Sequence, residues 1–508
     1  MENTLLHNFL LLLPLLLLPL YFFITLFQGR NVQNKPNFPP GPPELPIIGN
    51  LHQLTAKQPY QTLSQLSKIY GPVMRLKYGR VPTVVISSVE AAEQVMKTLD
   101  LEFCNRIQFA GRRRLSYNYV DIALTPHGEY WREIRKICAL ELLSAKRVQS
   151  FKAVRAEEVD VLIKSILSSS SNNNPVNVYE KLTSFAHQTI CRVAFGSTDG
   201  QSKNIFDNGR LTQVLDEVAF LTSLSASDFF PKLSWIIDRI TGIHRRTETC
   251  FRYLDMFLQQ VLDEHDNPQA LKLEHEDIID VLLKLRKAHT STFRLTNNHI
   301  KAVVLNVYLG GVDIAAGVMT WVMAELAKNP KAKKKVQEEI RSYMGSKEKV
   351  EESDLDNFHY LKMVVKETLR LHPTLPLLTR ESIKHSKIDG YDIYPKTWVL
   401  INTWALARNP KYWKNPEEFL PERFKNSSFA LGENQNFEYK PFGGGRRICP
   451  GLNMGSVLTE LVLANILYTF DWELPEGLNT EDLNMEGLSG TRYPLELLPI
   501  KHVVSKYD

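Results

Sequence analysis

The sequence predicts a mainly α-helical protein with small β-sheets, carried behind an apolar N-terminal segment. Three observations predict it. Most of the chain repeats apolar residues at helical spacing, strand signals are few and short, and one 19-residue run near the N-terminus carries no charge. The 508 residues, 44% hydrophobic and 23% charged, supply enough chain for a large core or two domains. The net charge of +5 is too small to point to nucleic acid. The five cysteines (Cys104, Cys138, Cys191, Cys250, Cys449) have no paired spacing, which suits a reducing compartment rather than a disulfide framework. No period of 20–50 residues repeats, which excludes a solenoid.

The uncharged run, Phe9 to Phe27, is long enough to cross a hydrocarbon core of roughly 30 Å as a helix. Pro14 and Pro19 suit a membrane helix better than a soluble one. A cleaved leader would need a basic start, a shorter apolar stretch and a small-residue cleavage site, and none is present. Residues 1–29 therefore read as an uncleaved anchor in membrane lipid. Arg30 and Lys35 follow it, which places the rest on the cytosolic side. On that topology the Asn426-Ser427-Ser428 sequon does not meet the glycosylation machinery.

Residues 30–50 form a proline-rich hinge, with six prolines between Pro36 and Asn50, which favour extended geometry and a semi-rigid spacer. Residues 51–508 read as one cytosolic domain. Helical periodicity covers 59–71, 90–100, 129–144 and 154–169, while 72–79, 82–88, 397–404 and 495–500 read as strands. The stretches Ser168–Asn174 and Ser428–Asn436 read as surface loops within that domain. Lys331 to Lys335, with four lysines, reads as a solvated helix face.

The strongest chemical signal is "PFGGGRRICPG", Pro441 to Gly451. Three glycines let backbone approach something flat and large, and Arg446 and Arg447 offer charge to anionic groups. Pro450 precedes a helical run, so Cys449 lies at a helix start, where free N–H groups favour a thiolate. A Cys thiolate is the proximal ligand of one haem class, where it favours O–O cleavage. Phe442, Gly445, Arg447, Cys449 and Gly451 match F-x-x-G-x-R-x-C-x-G, and here the chain resembles the cytochromes P450.

Further marks of that resemblance follow in order. "KETLR" supplies Glu367 and Arg370, one helical turn apart, and "PERF" supplies Arg423. In the family these brace the haem loop. "EYWREIRK" resembles the helix whose Trp131 and Arg135 meet a haem propionate, and Arg380 and Arg447 complete those contacts by resemblance. Arg132 and Lys136, on the adjacent face, fall where the family docks its electron donor. The resemblance spans the chain and is closest in style to the plant microsomal, specialised-metabolism type. It implies haem b on Cys449 and electrons from NADPH through a separate NADPH-cytochrome P450 reductase, with cytochrome b5 as a second donor, at the endoplasmic reticulum membrane.

"GGVDIAA" then falls on the long helix that crosses the haem. Each of Gly310 and Gly311 weakens a helix by roughly 1 kcal/mol relative to alanine, so function must justify them, and they read as a notch for dioxygen. Asp313 reads as the acid that feeds protons toward dioxygen. The family places a threonine next, and this chain has Ile314, which neither donates nor accepts a hydrogen bond. Three readings follow: the substrate supplies a hydroxyl or amine, a water held by Asp313 suffices, or the reaction is one without dioxygen cleavage, as in dehydratases, isomerases and oxime-metabolising members. The basic proximal face favours the first two, because an enzyme without a redox partner does not need it. Substrate contacts are expected at 111–123, Tyr308, Val312, Leu375, Leu377 and Leu488, mostly apolar, which suits a hydrophobic small molecule. Arg112, Arg113 and Arg114 read as a surface charge run rather than an acid-binding site.

Overall fold

The structure, a computed structural model, describes residues 36–502 except 55–57, 110, 172–173, 197–213, 215–216, 219, 268–275, 289–292, 426–428, 430–431, 433–434 and 484–494. The apolar run with Pro14 and Pro19, Arg30, Lys35, the sequon and Leu488 lie outside the described residues.

Helix α1 (Pro59–Tyr70) starts on its proline and stops at Gly71, whose φ of 102° a side chain would resist. Strands β1 (Val73–Tyr78) and β2 (Val81–Ile86) pair as a hairpin. The expected helices at 90–100 and 129–144 are both present, and each ends in a π turn: Val89–Glu93 continues as Gln94–Thr98, and α2 (Glu129–Ile137) as Cys138–Leu142. Helix α3 (Lys152–Ser170) runs through serines 168–170, so the serine run is not a loop from its start. The Ser168 hydroxyl donates to Ser165 O at 2.9 Å, so it bonds back onto its own helix rather than forming a turn.

After β3 (Val176–Asn177) come α4 (Val178–Phe195), α5 (Ile243–Asp266), α6 (Ile278–Ala288) and the 32-residue α7 (Asn297–Lys328). Thr296 and His299 close α7's first turn reciprocally, Thr296 Oγ1 accepting the His299 N–H at 3.4 Å and His299 Nδ1 accepting the Thr296 N–H at 3.1 Å. α7 is apolar and long enough to cross a membrane, yet 61% of its most apolar window is buried within the protein, as in a core helix. It packs lengthwise on α4 in the largest core, with Ile190 of α4 in the same cluster as Tyr308, Val312, Ala315 and Met319 of α7.

Then follow α8 (Pro330–Met344), α9 (His359–Leu371), β4 (Leu377–Glu381), β5 (Ser386–Ile388), β6 (Tyr391–Ile393), β7 (Trp398–Asn402), α10 (Leu452–Thr469), β8 (Phe470–Glu473) and β9 (Glu496–Lys501). The main sheet has the order β1-β2-β7-β4, with β7 parallel to β2 and antiparallel to β4. All four expected strands exist; β4 to β6, β3 and β8 are additions too short for periodicity to show. On α8, Lys331, Lys334 and Lys335 are exposed, and Lys333 bends in to donate to Trp472 O at 2.5 Å.

The proline-rich segment is pinned to the sheet edge. Arg75 N–H donates to Pro40 O at 2.8 Å, Lys77 N–H to Asn50 Oδ1 at 2.8 Å, and Asn37 N–H to Asp392 Oδ2 at 2.8 Å. A Cβ at Gly41 would sit 2.0 Å from Arg75 O, so only glycine permits this approach.

His265 near the end of α5 pairs with Asp277, Nε2 to Oδ2 at 2.8 Å, while Nδ1 bonds Val261 O at 2.7 Å. Asp277 and Asp280 also accept each other's backbone N–H, a capping box at the start of α6. Burial pushes His265 down, but Asp277 and the Val261 carbonyl outweigh it and raise the imidazole to about 9, above its ordinary 6.5. A raised pKa means stability that is complete below pH 6.5 and lost as pH rises through about 9. The melting-point gap between native protein and His265→Leu is therefore expected to be widest near pH 6 and to close above about pH 9; a gap that grows with pH would refute the pairing.

Candidate active site

The glycine loop is shaped by its conformations. Gly443 (φ 74°) and Gly445 (φ 65°) are left-handed. A Cβ at Gly445 would lie 2.4 Å from Met96 O and 2.5 Å from Asp100 Oδ1. Phe442 O accepts the Cys449 N–H at 3.0 Å, closing the loop, and Arg446 N–H donates to Asp100 Oδ2 at 3.2 Å. Cys449 precedes α10 by three residues and is the exposed cysteine, the other four being buried. Its thiol is accessible by area but ringed closely by protein, so burial still pushes it up, opposed by the Gly451 N–H and the Arg135 charge. A Cβ at Gly451 would stand 3.9 Å from the sulfur.

Beside this loop the structure gathers arginines from remote parts of the chain. Arg447 donates through Nε to Cys104 O and through Nη2 to Thr125 O, both at 2.8 Å, and its guanidinium lies 4.0 Å above the Trp131 ring. Arg380, buried in β4, donates to Gly444 O at 3.1 Å. Arg106 donates to Thr379 O at 2.9 Å. Nothing in the sequence singles out Arg106, because a lone arginine in a loop carries no signal of burial. Arg106 Nε, Arg380 Nε and Arg447 Nη1 are buried with no partner among the described residues. Burial depresses all three: Arg380 falls to about 10 although the Asp100 charge opposes it, Arg447 falls to about 9 with repulsion from Arg380 added, and Arg106 is lowered by burial with repulsion from Arg380 and Arg447 added. Unpaired buried N–H donors are costly, and converging ones suit a dianion. Trp131 donates its indole N–H to Ile122 O at 3.3 Å, and burial lowers Arg135, whose charge faces Cys138 and Cys449. The donor set fits haem: the spare arginine donors would hold its propionates, and the Cys449 thiolate would hold its iron.

Behind the loop, Glu367 and Arg370 are fully buried and paired in two bonds, 2.7 and 2.8 Å. Arg423 Nε adds a bond to Glu367 Oε1 at 2.9 Å, and Arg370 donates to Ala407 O, Pro416 O and Glu418 O. This network ties α9 to the segment that leads into the glycine loop.

On α7, Gly310 and Ile314 share a face, while Tyr308 is two residues, about 200°, away. Gly310 is exposed and a Cβ there would meet nothing within 4 Å, whereas a Cβ at Gly311 would lie 2.8 Å from Ile190 Cδ1. The two glycines thus do different things: one leaves open space and the other admits α4. Asp313 and Ile314 are half-buried on the open side. The Thr320 hydroxyl is buried and donates to Ala316 O at 2.7 Å, so it is committed to its own helix. Tyr308 and Val312 are placed against the α4 core, not on the Gly310 face; the Tyr308 hydroxyl meets His187 Nδ1 at 2.5 Å. This corrects the expectation that they line the pocket. Leu377 is half-buried in β4 and Leu375 is 54% exposed just before it. Arg113 and Arg114 are exposed, in keeping with a surface charge run, with Arg114 paired to Glu248 at 2.8 Å, while Arg112 is half-buried and donates to Thr222 O at 2.5 Å.

A helical fold with an accessible cysteine in a glycine-shaped loop, beside arginines with spare donors, defines a haem-thiolate protein. The sequence model described as cytochrome P450 matches residues 39–498. Cytochrome P450 71B37 of Arabidopsis thaliana is 48% identical over 501 residues, covering 97% of this chain and 98% of that protein. Cytochrome P450 71B9 of the same plant is 49% identical over 471 residues, covering 91% and 93%. A zebrafish cytochrome P450 solved with abiraterone superposes with a TM-score of 0.70 at 22% identity, over 88% of this chain and 98% of that one, a likeness of fold. The chain belongs to the cytochrome P450 family of haem-thiolate monooxygenases, which take electrons from a redox partner.

Proposed function

We propose that this protein is a plant microsomal monooxygenase that oxidises a hydrophobic specialised metabolite, by hydroxylation or a related oxidation, with dioxygen and NADPH-derived electrons. The haem supplies dioxygen activation, tuned by the Cys449 thiolate. The remaining chemistry falls to the chain. Arg106, Arg380 and Arg447 neutralise the propionates, Gly310 leaves room on the distal face, and Asp313 holds the proton-delivering water. The electrons come from NADPH-cytochrome P450 reductase, supplemented by cytochrome b5, with residues 1–29 anchoring the enzyme in the endoplasmic reticulum.

The observation that carries this reading is the open side of Gly310 on the same helix face as Asp313 and Ile314. Ile314 favours a second reading, a dehydratase, isomerase or oxime-metabolising enzyme, because no hydroxyl completes the relay and that of Thr320 is committed to Ala316. The test is turnover of a plant metabolite extract under labelled dioxygen, in microsomes with a plant reductase, with and without NADPH. Labelled, NADPH-dependent products are expected, and Ile314→Thr should raise product per NADPH severalfold, about 1 kcal/mol in partition. Unlabelled products formed without NADPH would establish the second reading instead.

A further inference from the structure

The loop between Asn105 and Gly128 touches both sides of the active site, and one side chain of the distal helix holds it there. Within five residues, Ile122 O accepts the Trp131 indole N–H at 3.3 Å and Thr125 O accepts Arg447 Nη2 at 2.8 Å, so the loop supports two residues of the haem cage. The same stretch is clasped by Asn306 of α7. Asn306 Nδ2 donates to Asp121 Oδ2 at 3.2 Å, and Asn306 Oδ1 accepts the Ala123 N–H at 3.0 Å. Asp121 is buried, and its other oxygen accepts the Leu124 N–H at 2.7 Å. Asn306 lies one turn before Gly310 on the same face.

At its other end the loop is tied to α5. Tyr117, Asn118 and Tyr119 have φ of 52°, 64° and 60°, three successive non-glycine residues in the left-handed region. Such a turn persists only where its surroundings hold it. The Tyr117 hydroxyl donates to Asp255 of α5 at 3.0 Å, and Lys301 of α7 reaches the same carboxylate at 2.6 Å. The Tyr119 N–H donates to Ser116 Oγ at 3.0 Å and its hydroxyl to Phe109 O at 2.7 Å. Arg112 and Arg114 add the bonds to Thr222 and Glu248 described above. A shift of α5 or of the Thr222 segment must pass into a loop that cannot relax locally.

We propose that Asn306 is a positioning residue whose carboxamide latches this loop to the distal helix, so that a ligand moving the α5 side is registered at Trp131 and Arg447. The proposal rests on the haem reading of the cage. It explains why a polar amide interrupts an otherwise apolar turn of α7.

The test uses the haem-loaded full chain in membranes, with 4-phenylimidazole as probe. Its spectral dissociation constant and the hydrogen-exchange protection that it induces in residues 117–125 are read in three variants. Asn306→Leu removes both bonds. Asn306→Asp sets a second carboxylate against Asp121. The double exchange Asp121→Asn with Asn306→Asp rebuilds every bond in reverse: Asn at 121 still accepts the Leu124 N–H and donates to Asp at 306, which still accepts the Ala123 N–H. Each single variant is expected to bind the probe about tenfold more weakly and to lose the induced protection, as two hydrogen bonds of ordinary strength would give. The thiolate signature of the reduced carbonyl complex should persist, and the double exchange should return affinity to within about twofold of native. Native binding and protection in the single variants, or a double exchange no better than Asn306→Asp, would overturn the proposal. Loss of the thiolate signature in the single variants would count equally against it, as a mark of general structural damage. If Asn306→Leu does not fold, the comparison of Asn306→Asp with the double exchange decides alone, and a double exchange that fails to fold refutes the latch. Loss of the thiolate signature in the native protein would refute the haem reading itself.

Discussion

Glu367→Ala is expected to unfold the region around the glycine loop, at a cost of about 3–5 kcal/mol, because it strands Arg370 and Arg423 without a counter-charge in a buried site. That cost is a large part of a domain's whole margin of roughly 5–15 kcal/mol. Both partners of the first pair are 0% exposed, so solvent offers no replacement for the lost carboxylate. Arg370's three bonds to carbonyl groups survive the change and offset part of the penalty, but no anion remains to balance the buried charge. The check is the melting temperature and the fraction of protein that retains haem. A midpoint within about 1 °C of native, equivalent to about 1 kcal/mol for a domain of this length, would show that the network is dispensable.

Cys449→Ser is expected to abolish product formation, by about 100-fold or more, while leaving the chain folded, because the thiolate's electron donation is what favours O–O cleavage. The backbone bond from residue 449 to Phe442 O does not depend on the side chain, and Gly443 and Gly445 keep the loop's shape. The reduced carbonyl complex should lose its red-shifted thiolate band, and the melting temperature of the protein without haem should stay near native. A variant that kept the thiolate band would mean that another residue ligates the iron. The four other cysteines are all buried, which makes them poor substitutes.

Those two residues were legible in the sequence because each belongs to a short contiguous motif whose parts meet locally: Cys449 within a glycine loop, Glu367 one turn from Arg370. The strands at 82–88 and 397–404 were legible because β-branched runs stand between clear turns, and that at 72–79 because apolar and basic residues alternate between a proline and a glycine. Tyr308 and Val312 were placed on the wrong face of α7. That helix is apolar nearly all round, so periodicity could not say which side meets α4 and which side is open. The distinction between Gly310 and Gly311 was hidden for the same reason, and it appears only once Ile190 is seen against one of them. Arg106 and Asn306, and the bond of Asp121 to Asn306, were missed because the partners lie far apart in the chain and in irregular loop, where no spacing rule applies.

The pinned proline segment sets a limit on how the enzyme can be handled. Any trimming of the N-terminus must spare everything from Asn37 onward, since that residue, Pro40 and Asn50 bond to the sheet edge and β6. A cut placed at residue 51, where the proline run ends, would expose the edge of β1 and leave unpaired strand N–H groups open to a neighbouring molecule. Aggregation of such a shortened protein would then reflect the lost strap rather than any greasiness of the catalytic domain.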